Sequence, residues 1–585
     1  MVEQPMLRGT LVAAGAVLAI FFATPASPLA ATAFSGVAAG DMASNDAILW
    51  TRAFDPTTGR PLAAAVTAQL AAEPEFHKII FAYRGKTNPA RDGTLKIDAT
   101  GLAGHTRYFY RFVAADGAVS PTGQFVTAPR DNEAVAVRFA FSGDTHGAWR
   151  PYPLVQHFGQ LKLDYFVFLG DTIYETASDG SPAAADPFAD PGRALSDYRR
   201  KYLENIQPVK AGGAASLQAM FAAQGNYTLL DNHELGNKQF VSGGAPPGNP
   251  PGKGVDPNDP ANDVNASCSL INRTPAFTSL MRAYLDFQPV RERRVAAPGD
   301  CRSNGTWRFY FAQRWGRNSI FINLDDRSYR DIQMMLPNGK EGDTGPRADN
   351  PARTMLGATQ LLWLQRTLLA AQQAGATWKI IAISSPIDQK GPFQGSDGPK
   401  SWIGGYRAER NKLLKFIAEN RIDHVVFLTT DDHQNRVQGL YYWADPADPN
   451  SRRLVPGAFT IVAGPIGAIG PDRYTNHGFA AAKTAADQLV ADERAAGIEP
   501  VGLPAAIPGL KQVYREGDPD ADSLRQPVDF YSPDTFNYVT LEISADGKSL
   551  AVDTWGIDSY LPNSFPEPSQ VATPRRILGF RVEAE

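Results

Sequence analysis

From residue 131 onward, short apolar runs recur along the chain, and each stops at an acidic or hydroxyl residue. Residues 135–141, broken only by Arg138, lead to Ser142-Gly143-Asp144. Residues 165–169 lead to Asp171, residues 319–324 to Asp325, residues 378–383 to Ser384 and residues 424–428 to Thr429. Runs of this length without polar alternation predict strands buried on both faces, with their ends opening on a cleft. Between them, residues 359–374 and 406–420 carry apolar positions at helical spacing. The alternation predicts a layered α/β domain whose functional groups stand at strand ends.

Residues 34–130 read differently. Short strand-like runs at 47–51, 65–70, 78–83 and 95–97 are separated by turn residues, which predicts an all-β sandwich. The run Arg107-Tyr108-Phe109-Tyr110-Arg111-Phe112 follows a pattern in which a tyrosine pins a sheet corner. No catalytic cluster is apparent there, so a packing or positioning role is expected. Residues 242–265 and 337–351 are dense in turn formers and predict loops, the first within an insertion expected around 240–310. Its acids Asp256, Asp259 and Asp263 fit no calcium-loop spacing and are read as solvated.

At 585 residues the chain is too long for one core. Residues 1–33 read as a signal peptide: Arg8, an apolar run over 11–23, and Ala31-Thr32-Ala33 as a cleavage site. That run is short for a bilayer span, and no other stretch approaches the length of one. The mature chain is therefore expected to be secreted or periplasmic, with residues 131–585 as its catalytic domain. A net charge of −4 gives no polyanion-binding surface, which argues against nucleic acid as partner. It does not exclude a phosphate substrate, because bound metals can supply positive charge locally. In an oxidising compartment the two cysteines, Cys268 and Cys301, are expected to form a disulfide, with metal-thiolate ligation as the alternative.

Four motifs carry the chemistry: Gly143-Asp144-Thr145-His146-Gly147, Gly170-Asp171-Thr172-Ile173-Tyr174-Glu175, Asp231-Asn232-His233-Glu234 and Thr430-Asp431-Asp432-His433. A single strand-end Asp is usually a cap or a turn residue. Four such ends in order, offering acids, an amide, imidazoles and a phenol, point to phosphoester hydrolysis at two metals about 3.5–4 Å apart. Holding two cations that close requires a shared carboxylate, and Asp171 is the candidate bridge.

The order of these motifs resembles that of the calcineurin-like metallophosphoesterases, and in particular the PhoD-type alkaline phosphatases. Supporting matches are residues 324–330, Met355-Leu356-Gly357, Gln360, Trp363-Leu364, Trp402, Gly405-Tyr406 and Glu409-Arg410. Gly40-Asp41 and Leu49-Trp50-Thr51-Arg52 extend the likeness into the N-terminal region. The resemblance implies a layered two-sheet metallophosphoesterase domain flanked by helices and preceded by the β-sandwich. It also implies an iron site, Fe(3+), made by Asp144, Asp171, Tyr174 and His433. A second site of Asp171, Asn232 and Asp431 offers only oxygen, which suits calcium, Ca(2+), over zinc. Zn(2+) or Mn(2+) is the alternative pair.

His233 would face the substrate, as a phosphate contact or as proton donor to the leaving alcohol. Two departures from the family stand out. PhoD proteins commonly carry cysteine at the position of Asp144, and often aspartate at that of Asn232. The spelling around His146 is that of the wider superfamily, in which this histidine can also be a ligand, so His146 is read as either a ligand or a support for one. Arg327 is read as a phosphate clamp or as an ion-pair partner of Asp325 or Asp326, and Arg330 in the same way. His77, His105, His157, His424 and His477 are read as surface or packing residues.

The function expected is that of a secreted phosphatase acting on small phosphate monoesters by in-line attack of metal-bound hydroxide. Phosphodiesterase or phospholipase D-type activity at the same site is one alternative, and a non-enzymatic cell-surface binding protein is another.

Overall fold

The strand Tyr165–Phe168 shows how the apolar runs build the core. Tyr165 and Val167 point inward to a second sheet, while Phe166 and Phe168 point outward to helices. Both faces of the strand are covered, so every position is apolar. The computed structural model describes residues 31–210, 216–236, 270–332, 348–390, 401–470, 478–504, 507–519, 526–564 and 573–584. In it, sheets of 10 and 7 strands pack face to face, and a third sheet has 4 strands.

The inner core joins Phe139, Phe141, Val167 and Tyr227 of the larger sheet to Phe321, Ile380, Val426 and Leu428 of the smaller one. Tyr227 stacks on Phe321 with ring centroids 4.6 Å apart, and Tyr165 lies 4.4 Å from Trp315. Helices Pro191–Ile206 and Pro275–Phe287 cover the outside of the larger sheet. Helices Ala358–Gln373 and Arg407–Glu419 cover the smaller one, through Leu361, Leu364 and Leu368 and through Leu413, Leu414 and Ile417. The part built on these two sheets is thus four layers, helices–sheet–sheet–helices.

Both sheets are parallel at their centres. Ala33–Gly40, Gly225–Thr228, Tyr165–Phe168 and Val137–Ser142 run parallel in the larger sheet. Ser319–Asn323, Trp378–Ala382, Val425–Thr429 and Arg452–Val462 do so in the smaller. The chain beyond residue 430 supplies strands that the apolar-run pattern does not reveal. Thr535–Ile543, Ser549–Asp558 and Arg575–Glu583 extend the larger sheet in antiparallel fashion. Their polar residues alternate with apolar ones, as in TFNYVTLEI, so no continuous apolar run marks them.

The N-terminal region forms a sandwich, but one of its sheets is not its own. Ala65–Ala71, Ile79–Lys86, Arg107–Ala114 and Gly123–Val126 make the separate sheet of 4 strands. Ala33–Gly40, Asp46–Phe54 and Thr94–Thr100 instead continue the catalytic sheet, with Ala39 opposite Gly225 and Gly40 opposite Asn226. Gly40 permits this junction, since a Cβ there would lie 2.2 Å from Pro289 O. The Tyr108 hydroxyl accepts from the Ala103 N–H at 2.9 Å and pins the expected corner.

The expected insertion around 240–310 also differs from a simple appendage. Residues 237–269, including all of the first predicted loop, lie outside the described residues, as do residues 337–347 of the second. Helix Pro275–Phe287, however, is buried in the catalytic core. Its Asp286, with a wholly buried side chain, takes Arg91 of the N-terminal region at 2.7 Å and Arg282 of its own helix at 3.2 Å. It also takes Arg199 of the neighbouring helix at 3.0 Å. The expected signal peptide lies almost wholly outside the described residues, and among those described no helix is long and apolar enough to cross a membrane.

Candidate active site

Where the parallel strands end, the chain turns sharply and lifts an acid over the sheet edge. Asp144, Asp171, Asp431 and His433 have φ of 65°, 52°, 71° and 51°. Left-handed backbone of this kind costs non-glycine residues on the order of 1–3 kcal/mol each and persists only where its surroundings enforce it. Glu234 supplies much of that enforcement. Its wholly buried carboxylate accepts from the N–H groups of Asp171 at 2.9 Å, Thr172 at 2.6 Å and Asp231 at 2.8 Å. One side chain therefore ties together the turns that follow two neighbouring strands. Gly170, at φ 107°, lets these turns touch, since a Cβ there would lie 2.5 Å from Asp231 Cβ.

The two sheets also meet at this edge. Ser384 Oγ lies 3.0 Å from Asp231 Oδ1 and 2.9 Å from Asp326 Oδ1, and Thr430 Oγ1 contacts Asp144 Oδ2. Two clusters result. Ligand atoms of Asp144, Asp171 and His433 lie within 4.8 Å of one another, and so do those of Asp171, Asp231 and Asp431. Asp171 belongs to both. The Tyr174 hydroxyl joins the first cluster, 3.1 Å from His433 Nε2. His433 Nδ1 bonds the Ile469 carbonyl, which leaves Nε2 facing the acids, 3.5 Å from Asp144 Oδ1.

Charge is crowded here. Burial, and then Asp231, Glu234 and Asp144, push the Asp171 carboxyl well above its ordinary range. Burial, with Asp171 and Asp144 adding to it, raises the Tyr174 phenol in the same way. Burial opposes the charged form of His433, but Asp144 outweighs it and holds this imidazole at about 9. Asp144 Oδ1 is buried without a hydrogen-bond partner. Crowded acids that raise one another's cost of ionisation, with an orphaned oxygen among them, fit cations. The first cluster mixes carboxylate, phenol and imidazole, while the second is all carboxylate.

The geometry also places the other residues expected at the site. Asn232, the expected second-site ligand, is buried and donates its backbone N–H to Asp231 Oδ1 at 2.8 Å. The acid before it, Asp231, joins Asp171 and Asp431 in the second cluster. The same motif thus brings both residues to the site. His146 stands outside both clusters: its Nδ1 accepts from the Ala148 N–H at 3.0 Å, and Nε2 faces Thr176 Oγ1 at 2.8 Å. Burial, then His233 and Lys201, lower its pKa to about 4. Both of its nitrogens are thus engaged within the protein.

Arg327, read as a phosphate clamp or as an ion-pair partner, stands among the acids. Its side chain is wholly buried, contacting Asp231 and lying 3.4 Å from Asp431 and 3.9 Å from Asp326. It offsets the acids from within the protein and presents no guanidinium to a substrate. Arg330 is likewise buried. Cys301 is disulfide-bonded, and its expected partner Cys268 lies outside the described residues.

His233 stands at the cleft. Its backbone N–H donates to Asp171 Oδ1 at 2.9 Å, its ring lies 3.8 Å from that of Tyr174, and Nε2 is 3.9 Å from Asp171 Oδ2. Nδ1 lies 2.5 Å from Glu175 Oε2. Burial would raise the Glu175 carboxyl, but His233 outweighs it and draws it below its ordinary value. Glu175 and Glu234 both lie inside the quoted motifs, yet their spelling does not reveal which groups they hold.

Residues 138–499 match the PhoD-like phosphatase family, and residues 22–129 match the PhoD-like phosphatase N-terminal domain. Alkaline phosphatase D of Bacillus subtilis (strain 168) is 28% identical over 424 residues, 69% of this chain. The match spans 65% of that relative's length. A solved structure titled "Structure of PhoD" is 22% identical and superposes with a TM-score of 0.67, covering 94% of this chain and 90% of that one, a likeness of fold. With more than half of its length matched by the family's catalytic model, the chain belongs to the PhoD-like phosphatase family.

Proposed function

We propose that this protein is a metal-dependent phosphatase that hydrolyses small phosphate monoesters. The observation that carries the reading is Asp171, one carboxylate shared by two ligand clusters at the converging strand ends. The first site would be held by Asp144, Asp171, Tyr174 and His433, and its phenol and carboxylates suit iron. The second would be held by Asp171, Asp231 and Asp431, with Asn232 beside them, and its oxygen-only donors suit calcium. Zinc or manganese is the alternative pair. Metal ions bound there would polarise the phosphate oxygens and acidify water.

The protein's own groups do the rest. Glu175 fixes His233 through Nδ1, so Nε2 is left to face the cleft and donate a proton to the departing alkoxide. Glu234 and Thr430 keep Asp171 and Asp144 in their turns. The disulfide-bonded Cys301 and the apolar run at 11–23 support export to an oxidising compartment.

The purified protein is expected to release phosphate from nitrophenyl phosphate faster than it cleaves the bis-nitrophenyl diester. Activity should be lost on chelation and regained with iron and calcium. Faster diester cleavage would turn the reading toward a phosphodiesterase, and activity untouched by exhaustive chelation would defeat it. The chelated protein carries a pH signature. His433, raised from 6.5 to about 9, stabilises the metal-free fold fully below 6.5 and loses that contribution as pH rises through 9. Asp171, raised by burial and its acidic neighbours, also weakens the metal-free fold as it ionises. The chelated chain should therefore melt at progressively lower temperature over that interval, and restored metal should flatten the dependence. A second expectation concerns His233. Glu175→Gln should lower kcat for an alkyl phosphate by about 100-fold, in the range of a lost general acid. It should lower kcat much less for nitrophenyl phosphate, whose leaving group needs no proton. Equal losses on the two esters would remove the proton-donor role.

A further inference from the structure

The turn Thr430-Asp431-Asp432-His433 delivers one residue to each cluster, and both delivered residues are left-handed, Asp431 at φ 71° and His433 at φ 51°. Two strained residues within three positions need an anchor. Asp432, between them, is turned into the protein, with its side chain 1% exposed. Its Oδ2 lies 2.5 Å from Arg436 Nη2. Arg436 stands on the strand Asn435–Trp443, hydrogen-bonded on both sides, with Val462 opposite on one neighbour and Tyr531 on the other. Its guanidinium also takes both oxygens of Asp388, Nε to Oδ2 at 2.6 Å and Nη2 to Oδ1 at 3.0 Å. The side chains of Arg436 and Asp388 are 1% and 0% exposed.

We infer that Arg436 is a positioning residue of the metal centre: through the buried triad Asp388–Arg436–Asp432 it holds the turn in the form that presents Asp431 and His433 to their clusters. Among the described residues, none of the three belongs to a ligand cluster. The triad acts through the backbone on either side of Asp432. A buried guanidinium that loses one of its two carboxylates stays charge-balanced by the other but loses its tie to the turn, whereas replacing the whole set by apolar groups is often tolerated by the fold. That asymmetry separates a positioning role from a purely stabilising one. This inference rests on the proposed metal reading.

The test uses the full chain, stripped with chelator and titrated with Ca2+ and, separately, Mn2+, with thermal melting recorded on the same samples. Asp432→Asn and Arg436→Lys weaken the triad, and the combined variant Asp388→Leu/Arg436→Met/Asp432→Leu replaces it by apolar groups. Asp432→Asn and Arg436→Lys are expected to fold and to bind metal about 10–100-fold more weakly than the wild type, as loss of a ligand-orienting partner does. The triple variant should melt near the wild type yet keep the weakened metal affinity. Folded variants that bind both ions as tightly as the wild type would overturn the inference and leave the metal reading intact. Should the triple variant fail to fold, the two single variants decide on the same criterion. A wild-type chain that takes up neither ion would overturn the metal reading, and this inference with it.

Discussion

Like charges repel, and at the strand ends Asp144, Asp171, Asp231 and Asp431 are nonetheless gathered so that Asp171 serves two clusters at once. Burial, and then the neighbouring acids Asp231, Glu234, Asp144 and Asp431, push the Asp171 carboxyl well above its ordinary range. What overcomes this repulsion is the frame. Glu234 binds the turns of Asp171 and Asp231 from below, Arg327 supplies an internal positive charge beside Asp231 and Asp431, and Thr430 braces Asp144 from the opposite sheet. Each brace lies on a different strand end, so the site depends on both sheets meeting along the same edge. The inner core, with Tyr227 stacked on Phe321, sets that meeting.

The same constraint explains the backbone. Residues emerging from parallel strands would ordinarily pass straight into the next connection, and left-handed turns at Asp144, Asp171 and Asp431 stop that and aim the carboxylates into one volume. Aspartate tolerates this conformation better than most residues. Glycines stand beside these turns: Gly143, Gly170 and Gly464 each sit where a Cβ would press within 2.9 Å of a neighbouring atom of the site. The N-terminal strands contribute indirectly, by pairing with Gly225–Thr228 and so fixing the strand that leads to Asp231.

Much of this is legible in the chain. Unbroken apolar runs mark the buried parallel strands because both of their faces are covered, and the acid at the end of each marks the cleft. Tyr174 and His433 are legible for the same reason, as polar groups placed just past a strand end. Other features are not. The sequence points to Asn232, and that the preceding Asp231 also reaches the second cluster is visible only once the turn is seen. Arg327 reads as a substrate clamp or an ion-pair partner, and the sequence does not reveal that its wholly buried side chain contacts Asp231. The strands Thr535–Ile543 and Ser549–Asp558 alternate polar and apolar residues, so a search for continuous apolar runs passes over them. The sharing of one sheet between the N-terminal region and the catalytic part is a long-range pairing that local patterning does not encode.

The central claim is that Asp171 is shared between two metal ions. Asp171→Asn removes one negative charge from both clusters without changing the side-chain volume. The direct measurement is metal content per chain, taken with turnover of nitrophenyl phosphate, for the wild type and this variant at matched far-UV circular dichroism. Two equivalents in the wild type, one or none in the variant, and a fall in turnover of at least about 100-fold would agree with the account. A variant that keeps both equivalents and turns over like the wild type would contradict it.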